Sequence, residues 1–169
     1  GLFVNKWLPR PPFTRQCGHH HRDEPGRSWV PRPFVGRSTG RPSVEGLATA
    51  LADLDPFRVT SPPKDVTIYG YSGKYLELTV PDLPVEGDPG DDRRFTGCVD
   101  GNLKSWVGAI DTEPGDAYYG YTGPDHTEEF WILDVEGTRL VIAAERSPGS
   151  PRKDVAELSA ILDSIRIEP

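Results

Sequence analysis

The clearest periodicity in the chain begins at Ser43. Val44, Leu47, Leu51 and Leu54 recur at i, i+3, i+7 and i+10, the single apolar stripe of a helix. Ser43 stands where an N-cap belongs. Asp55-Pro56 ends the run, because a proline ring drives the residue before it out of the helical region. A helix over about 43–54 is therefore expected. Phe57–Thr60 reads as a short strand. The period then drops to two. Val66 and Ile68 alternate with polar residues, and from Tyr75 to Val80 one face carries Leu76, Leu78 and Val80 while the other carries Glu77 and Thr79. Pro81–Asp92 is acidic, turn-rich and without period, which reads as a surface loop. Lys104–Ile110 and Ala117–Tyr121 read as further strands.

The strongest local signal lies later. Glu129–Val135 and Thr138–Ala144 are two apolar runs joined by Glu136-Gly137. A two-residue hairpin loop needs positive φ, and Gly137 adopts it without a steric penalty. The runs are nearly continuous in apolar character, as in central strands covered on both faces. In the last segment, Ser150 is placed to cap a helix over about 151–164, with Pro151 at its first position. Val155, Leu158, Ile161, Leu162 and Ile165 form its stripe, and Leu158 and Trp131 are expected in the core. Ile165 and Ile167 flank Arg166 as in a short closing strand. Strands in series with a helix near each end predict an α+β domain, an antiparallel sheet with both helices packed on it.

Residues 1–42 differ from the rest. They contain seven prolines and no sustained period. They read as an ill-ordered loop segment, with at most an edge strand at Trp29–Val35. Eight Lys/Arg against Asp23 and Glu24 give the first 41 residues a net charge of +6, which leaves −13 on the remainder of a chain whose total is −7. A basic arm could bind nucleic acid through phosphate contacts, or fold back on the acidic body. The chain starts at Gly1 and contains no Met, so it reads as a fragment or processed product. The Arg, Pro, Gly and His content of the arm is also what a mis-framed stretch of a GC-rich gene would encode. No apolar run reaches the roughly 20 residues that span a bilayer, and no signal peptide is visible. The 169 residues suit one domain over 43–169 behind the arm.

Three stretches carry a family resemblance: Tyr69-Gly70-Tyr71-Ser72-Gly73-Lys74-Tyr75-Leu76-Glu77-Leu78-Thr79-Val80-Pro81, the hairpin from Phe130 to Ile142, and Ala156 to Ile167. Together they resemble an uncharacterised group of actinobacterial proteins that are typically exported or membrane-anchored and have no assigned function. The resemblance covers roughly 43–169 and implies an extracytoplasmic location. More distantly, the sheet and closing helix are similar to the PsbP/Mog1-like α/β sandwich.

Few residues suggest chemistry. Gly36-Arg37-Ser38-Thr39-Gly40 matches the serine-hydrolase elbow G-x-S-x-G, and Ser38, Asp111 and His126 can be written as a triad in chain order. Prolines on both sides of the motif argue against the strand and helix that an elbow requires. His19, His20 and His21 near Cys17 could hold a soft metal, but no second ligand cluster accompanies them. Asp82, Glu86, Asp88, Asp91 and Asp92 lack EF-hand spacing. Two cysteines, Cys17 and Cys98, could form one disulfide and are too few for a four-ligand zinc site. Tyr69-Gly70-Tyr71-Ser72-Gly73 is echoed by Tyr119-Gly120-Tyr121-Thr122-Gly123.

The reading that follows is a non-catalytic accessory, sensor or ligand-binding module with no cofactor. Tyr71 and Tyr121, with Trp106 nearby, are the candidate ligand contacts, and a neutral glycan or a peptide is the candidate partner. The alternatives are a small hydrolase or metal-dependent enzyme, and nucleic-acid binding through the arm.

Overall fold

The computed structural model describes residues 2–6, 43–88, 93–98, 101–108, 117–121 and 123–167, with backbone alone for 2–6, 104–108 and 117–119. The elements are β1 (Leu2–Lys6), α1 (Val44–Ala52), β2 (Arg58–Ile68), β3 (Tyr71–Thr79), β4 (Val85–Glu86), β5 (Arg94–Phe95), β6 (Leu103–Gly108), β7 (Ala117–Tyr121), β8 (Thr127–Val135), β9 (Thr138–Arg146) and α2 (Arg152–Ser164). The main sheet is antiparallel, in the order β1-β9-β8-β3-β2, and β4-β5 and β6-β7 form two small pairs beside it. This is an α+β arrangement with an early and a C-terminal helix, as the periodicities predict.

Two hairpins fix the register of the sheet. Between β8 and β9, Glu136 and Gly137 both take positive φ, 51° and 77°, and the Asp134 carboxylate accepts a 2.8 Å bond from the Gly137 N–H. Between β2 and β3, Tyr69 and Gly70 do the same, at 55° and 84°. Consecutive positive φ values are what a two-residue turn needs to follow the twist of its strands. Gly73 has a different reason to be glycine. A Cβ there would lie 2.2 Å from the Ile132 carbonyl oxygen of β8.

The register separates the residues into two faces. On the first, Leu76, Leu78, Phe130, Ile132, Val141 and Ala143 are buried and pack with Leu47, Ala48, Leu51 and Leu54 of α1 and its exit. Ser43 caps α1 as expected, its Oγ accepting from the Gly46 N–H at 3.0 Å. A second cluster, Val80, Phe95, Leu103 and Tyr121, lies beyond the end of β3, and Phe57 packs against both clusters.

The opposite face carries Tyr75, Trp131 and Ile142 in one row across β3, β8 and β9. Here α2 lies, and it has no buried residue. Leu158 and Trp131 are only half-buried, which corrects the expectation that both are core. A stripe of apolar positions specifies which side of a helix faces inward, but not how closely the surface opposite fits it. The cap of α2 also differs from the expectation. Pro151, not Ser150, is the N-cap and gives no side-chain bond, while the Ser150 Oγ donates to the Ser147 carbonyl at 2.8 Å. Residues 165–167 form no strand.

Three other departures have physical causes. The strand at Phe57–Thr60 and the one near Val66 are one strand, β2, running through Pro62 and Pro63 with register shifts around Ser61. Proline cannot donate to a ladder, so it is tolerated here because β2 is an edge. The acidic loop contains a short strand, β4, which pairs with β5. Leu2–Lys6 was expected to be loop and is strand β1, paired with β9 from Leu2↔Ala144 to Lys6↔Leu140, where it occupies backbone groups that the apolar edge of β9 would otherwise leave open. Trp29–Val35 lies outside the described residues.

Candidate functional site

The tyrosine echo does not build a two-ring platform. Tyr71 opens β3 and is half-buried. Tyr121 closes β7, is 2 % exposed and belongs to the second core cluster. Its ring meets Phe57 edge-on at 5.9 Å between centroids, and its hydroxyl donates to Glu128 Oε2 at 2.5 Å. The first motif is a hairpin turn and the second a strand end, so the repeated letters serve different geometries. Trp106 lies in β6, its backbone opposite Tyr119, and its side chain is outside the described residues. So are Ser38, Asp111, the three adjacent histidines and Cys17. Cys98 packs half-buried against the second cluster. Asp82, Glu86 and Asp88 are exposed, Asp91 and Asp92 lie outside the described residues, and among those described no three His, Cys, Asp or Glu side chains converge as metal ligands.

Among the described residues, polar side chains gather on both faces of the sheet instead. On the α1 face, Glu128 and Glu145 stand opposite each other in the β8-β9 ladder. Glu128 is 3 % exposed and takes the Tyr121 hydroxyl. Glu145 Oε1 is 3.0 Å from His126 Nδ1. The His126 ring also contacts Tyr121, at 5.4 Å.

On the α2 face, Glu77 and Glu129 are likewise opposite, in the β3-β8 ladder. Like charges placed so repel, and Arg146 offsets this by bridging both carboxylates at 3.4 Å. Thr60 donates to Glu77 Oε1 at 2.7 Å, and the Tyr75 hydroxyl donates to Glu129 Oε1 at 3.2 Å. Burial first, then the negative charges of Glu129 and Glu77, push the Tyr75 phenol well above its ordinary range. Lys64 Nζ lies 4.6 Å over the Tyr75 ring, and the Trp131 ring lies 5.2 Å from it between centroids, tilted by 56°.

The Trp131 end of this aromatic row opens into a cleft of about 260 Å³ between α2 and the sheet. Trp131 and Ile142 line its sheet side, and Thr67, Ile68 and Tyr69 come from the end of β2 and its turn. Leu162, Asp163 and Ile165 complete it from α2 and the residue after it. Most of these groups are apolar or aromatic, and one carboxylate stands among them. A second hollow, about 480 Å³, lies on the α1 face near the Glu136-Gly137 turn, beside Glu45, Asp65 and Lys74. It is the more open of the two, and most residues along it carry polar or charged side chains. Lys74 Nζ bonds Glu45 at 2.8 Å and Asp65 at 2.9 Å, and these bonds, that to Glu45 first, raise its pKa.

Of the first tyrosine motif, the turn residue is the one that reaches the cleft. Tyr69, not Tyr71, lines the cleft. The available signal was Tyr69-Gly70 as a turn pair between two alternating runs, which places Tyr69 at a hairpin tip. Ile142 is covered, as the apolar hairpin implies, and Trp131 is covered only in part. Compared with known proteins, the chain matches no family model, no curated protein and no solved structure.

Proposed function

We propose that this domain is a non-catalytic, extracytoplasmic ligand-binding module that holds its ligand in the cleft between α2 and the sheet. The observation that carries the reading is the cleft itself: an apolar and aromatic hollow under a helix that buries none of its residues. Binding sites are concave and mostly apolar, with a few fixed polar groups. The extracytoplasmic part rests on the family resemblance alone. Of the two ligand classes considered, a peptide fits better than a glycan. A sugar needs several hydrogen-bonding groups beside an aromatic ring, and here Thr67 and Asp163 are the polar residues that accompany the rings.

The test is a titration followed by NMR, using acetylated, amidated Lys-Phe-Lys and, separately, chitotriose. Shifts confined to Thr67, Tyr69, the Trp131 indole, Ile142 and Leu162 with the peptide are expected. Shifts with the sugar and not the peptide would reverse the ligand class. No shift with either at millimolar concentration would remove the cleft as a binding site.

A further inference from the structure

We propose that α2 is a lid over the cleft, latched at its C-terminal end by Tyr69, and that it opens to admit an apolar side chain of an extended peptide. This rests on the cleft being the binding site. Four observations carry it. First, α2 has no buried residue, and Ile161 of its apolar stripe is 44 % exposed. A segment with so little burial opens well below the free energy of global unfolding. Second, among the described residues, the polar contacts from the β2-β3 turn to α2 lie at its C-terminal end. The Tyr69 hydroxyl donates to the Leu162 carbonyl, and the Arg166 guanidinium lies 5.8 Å from the centre of the Tyr69 ring. Third, Tyr69 sits at the tip of the β2-β3 turn with φ 55°, a region that a residue with a bulky side chain rarely adopts. The two-residue turn sets that conformation, as it does at Glu136, and from this tip the Tyr69 hydroxyl reaches α2. Fourth, the other end of α2 joins β9 through a turn at Ser147–Ser150, in which Gly149 has φ 75° and open space around its Cα. A helix held at one end by a glycine turn and at the other by a hydroxyl can swing as a unit.

The size and charge of the cleft indicate what enters. At about 260 Å³ it is below the roughly 300–1,000 Å³ of sites that enclose a drug-sized molecule. It suits one large apolar side chain. Asp163 stands at the margin, and Arg166 bonds its backbone carbonyl. On a body that carries a net −13 beyond residue 41 of a chain totalling −7, that carboxylate favours a cationic residue next to the inserted one.

Tyr69→Phe deletes the hydroxyl and keeps the ring, the turn and the arginine contact. The test compares the full-length chain with this variant by amide hydrogen exchange and by affinity for acetylated, amidated Lys-Phe-Lys. In the unaltered chain, α2 should exchange faster than β8 and β9. In Tyr69→Phe, exchange in α2 should rise about fivefold, the scale of one net hydrogen bond, with β8 and β9 unchanged. If opening precedes binding, the peptide should bind tighter by a similar factor. Unchanged α2 exchange in the variant would overturn the latch, as would α2 exchange that tracks β8 in the unaltered chain. Faster exchange with weaker binding would make Tyr69 a ligand contact and overturn the lid. Faster α2 exchange with no peptide binding to either protein would leave the latch standing and remove the binding reading beneath it.

Discussion

The two helices carry the same kind of apolar stripe and meet opposite fates on the same sheet. α1 buries Leu47, Ala48 and Leu51, and α2 buries nothing. The sheet explains the difference. Beneath α1 the strands present Leu76, Leu78, Phe130 and Ile132, all buried, and branched aliphatic chains fill the space between layers. On the α2 face the central row is Tyr75, Trp131 and Ile142, followed by Glu77 and Glu129 bridged by Arg146. Large rings beside solvated charges do not close tightly against a helix. The α1 face thus closes on its helix, whereas on the α2 face Leu133, Ile142 and Ala144 are buried while no residue of the helix is.

The sharpest way to break this comparison is a matched pair of truncations. Leu51→Ala should destabilise the domain by about 2–5 kcal/mol, the usual cost of a large-to-small change in a closed core. Leu158→Ala should cost about 1 kcal/mol, because the side chain is only partly buried and its loss leaves no closed cavity. Chemical denaturation of both variants decides it. Equal losses would mean that α2 is as much a part of the core as α1.

The helix caps sharpen the same contrast at smaller scale. Ser43 bonds the Gly46 amide, so Ser43→Ala should lower stability by about 1 kcal/mol. Pro151 supplies no cap bond. Pro151→Asp should therefore slow exchange in the first turn of α2, by the few-fold that about 0.5 kcal/mol corresponds to. No slowing would show that the Ser147–Ser150 turn already satisfies those amides.

The smallest effect is a pH dependence that separates the faces. The phenol of Tyr75 has its pKa raised in the fold by burial and by Glu129 and Glu77. The folded state then keeps a proton that the unfolded state loses above about pH 10. Where the unfolded state binds fewer protons, stability falls as pH rises. The contribution is thus fully present below pH 10 and is lost progressively above it. Lys74 on the α1 face is raised in the same sense by Glu45 and Asp65. Urea midpoints should decline less steeply above pH 10 in Tyr75→Phe than in the unaltered chain. Identical slopes would assign the alkaline loss to Lys74 and the other bases.

These contrasts mark where the sequence is readable. The turn pair Glu136-Gly137, the Ser43 cap and β7 at Ala117–Tyr121 were legible because each depends on a local conformational preference. The closeness of α2 to the sheet was not, since it depends on the shapes of Trp131 and Tyr75 rather than on their hydrophobicity. The burial of Tyr121 was not legible for a related reason. Alternation divides a strand into two faces without saying which is covered, and what covers Tyr121 comes from Phe57, 64 positions earlier in the chain. Strand β2 was split in two because Pro62-Pro63 is normally a stop signal, and only its place at the edge of the sheet makes the pair tolerable.

That edge has a consequence for how the protein behaves at high concentration. An exposed strand margin is a template on which another chain can crystallise into a growing ladder, the first step of cross-β polymerisation. Pro62 and Pro63, with the register shifts beside them, leave a gap in the row of amide donors and bend it out of line, and Lys64 and Asp65 place charge next to the gap. Incoming strands meet an interrupted surface. Replacing both prolines with Thr and Val would restore an unbroken margin, and fibrils detected by thioflavin T should then appear in conditions where the natural sequence stays clear.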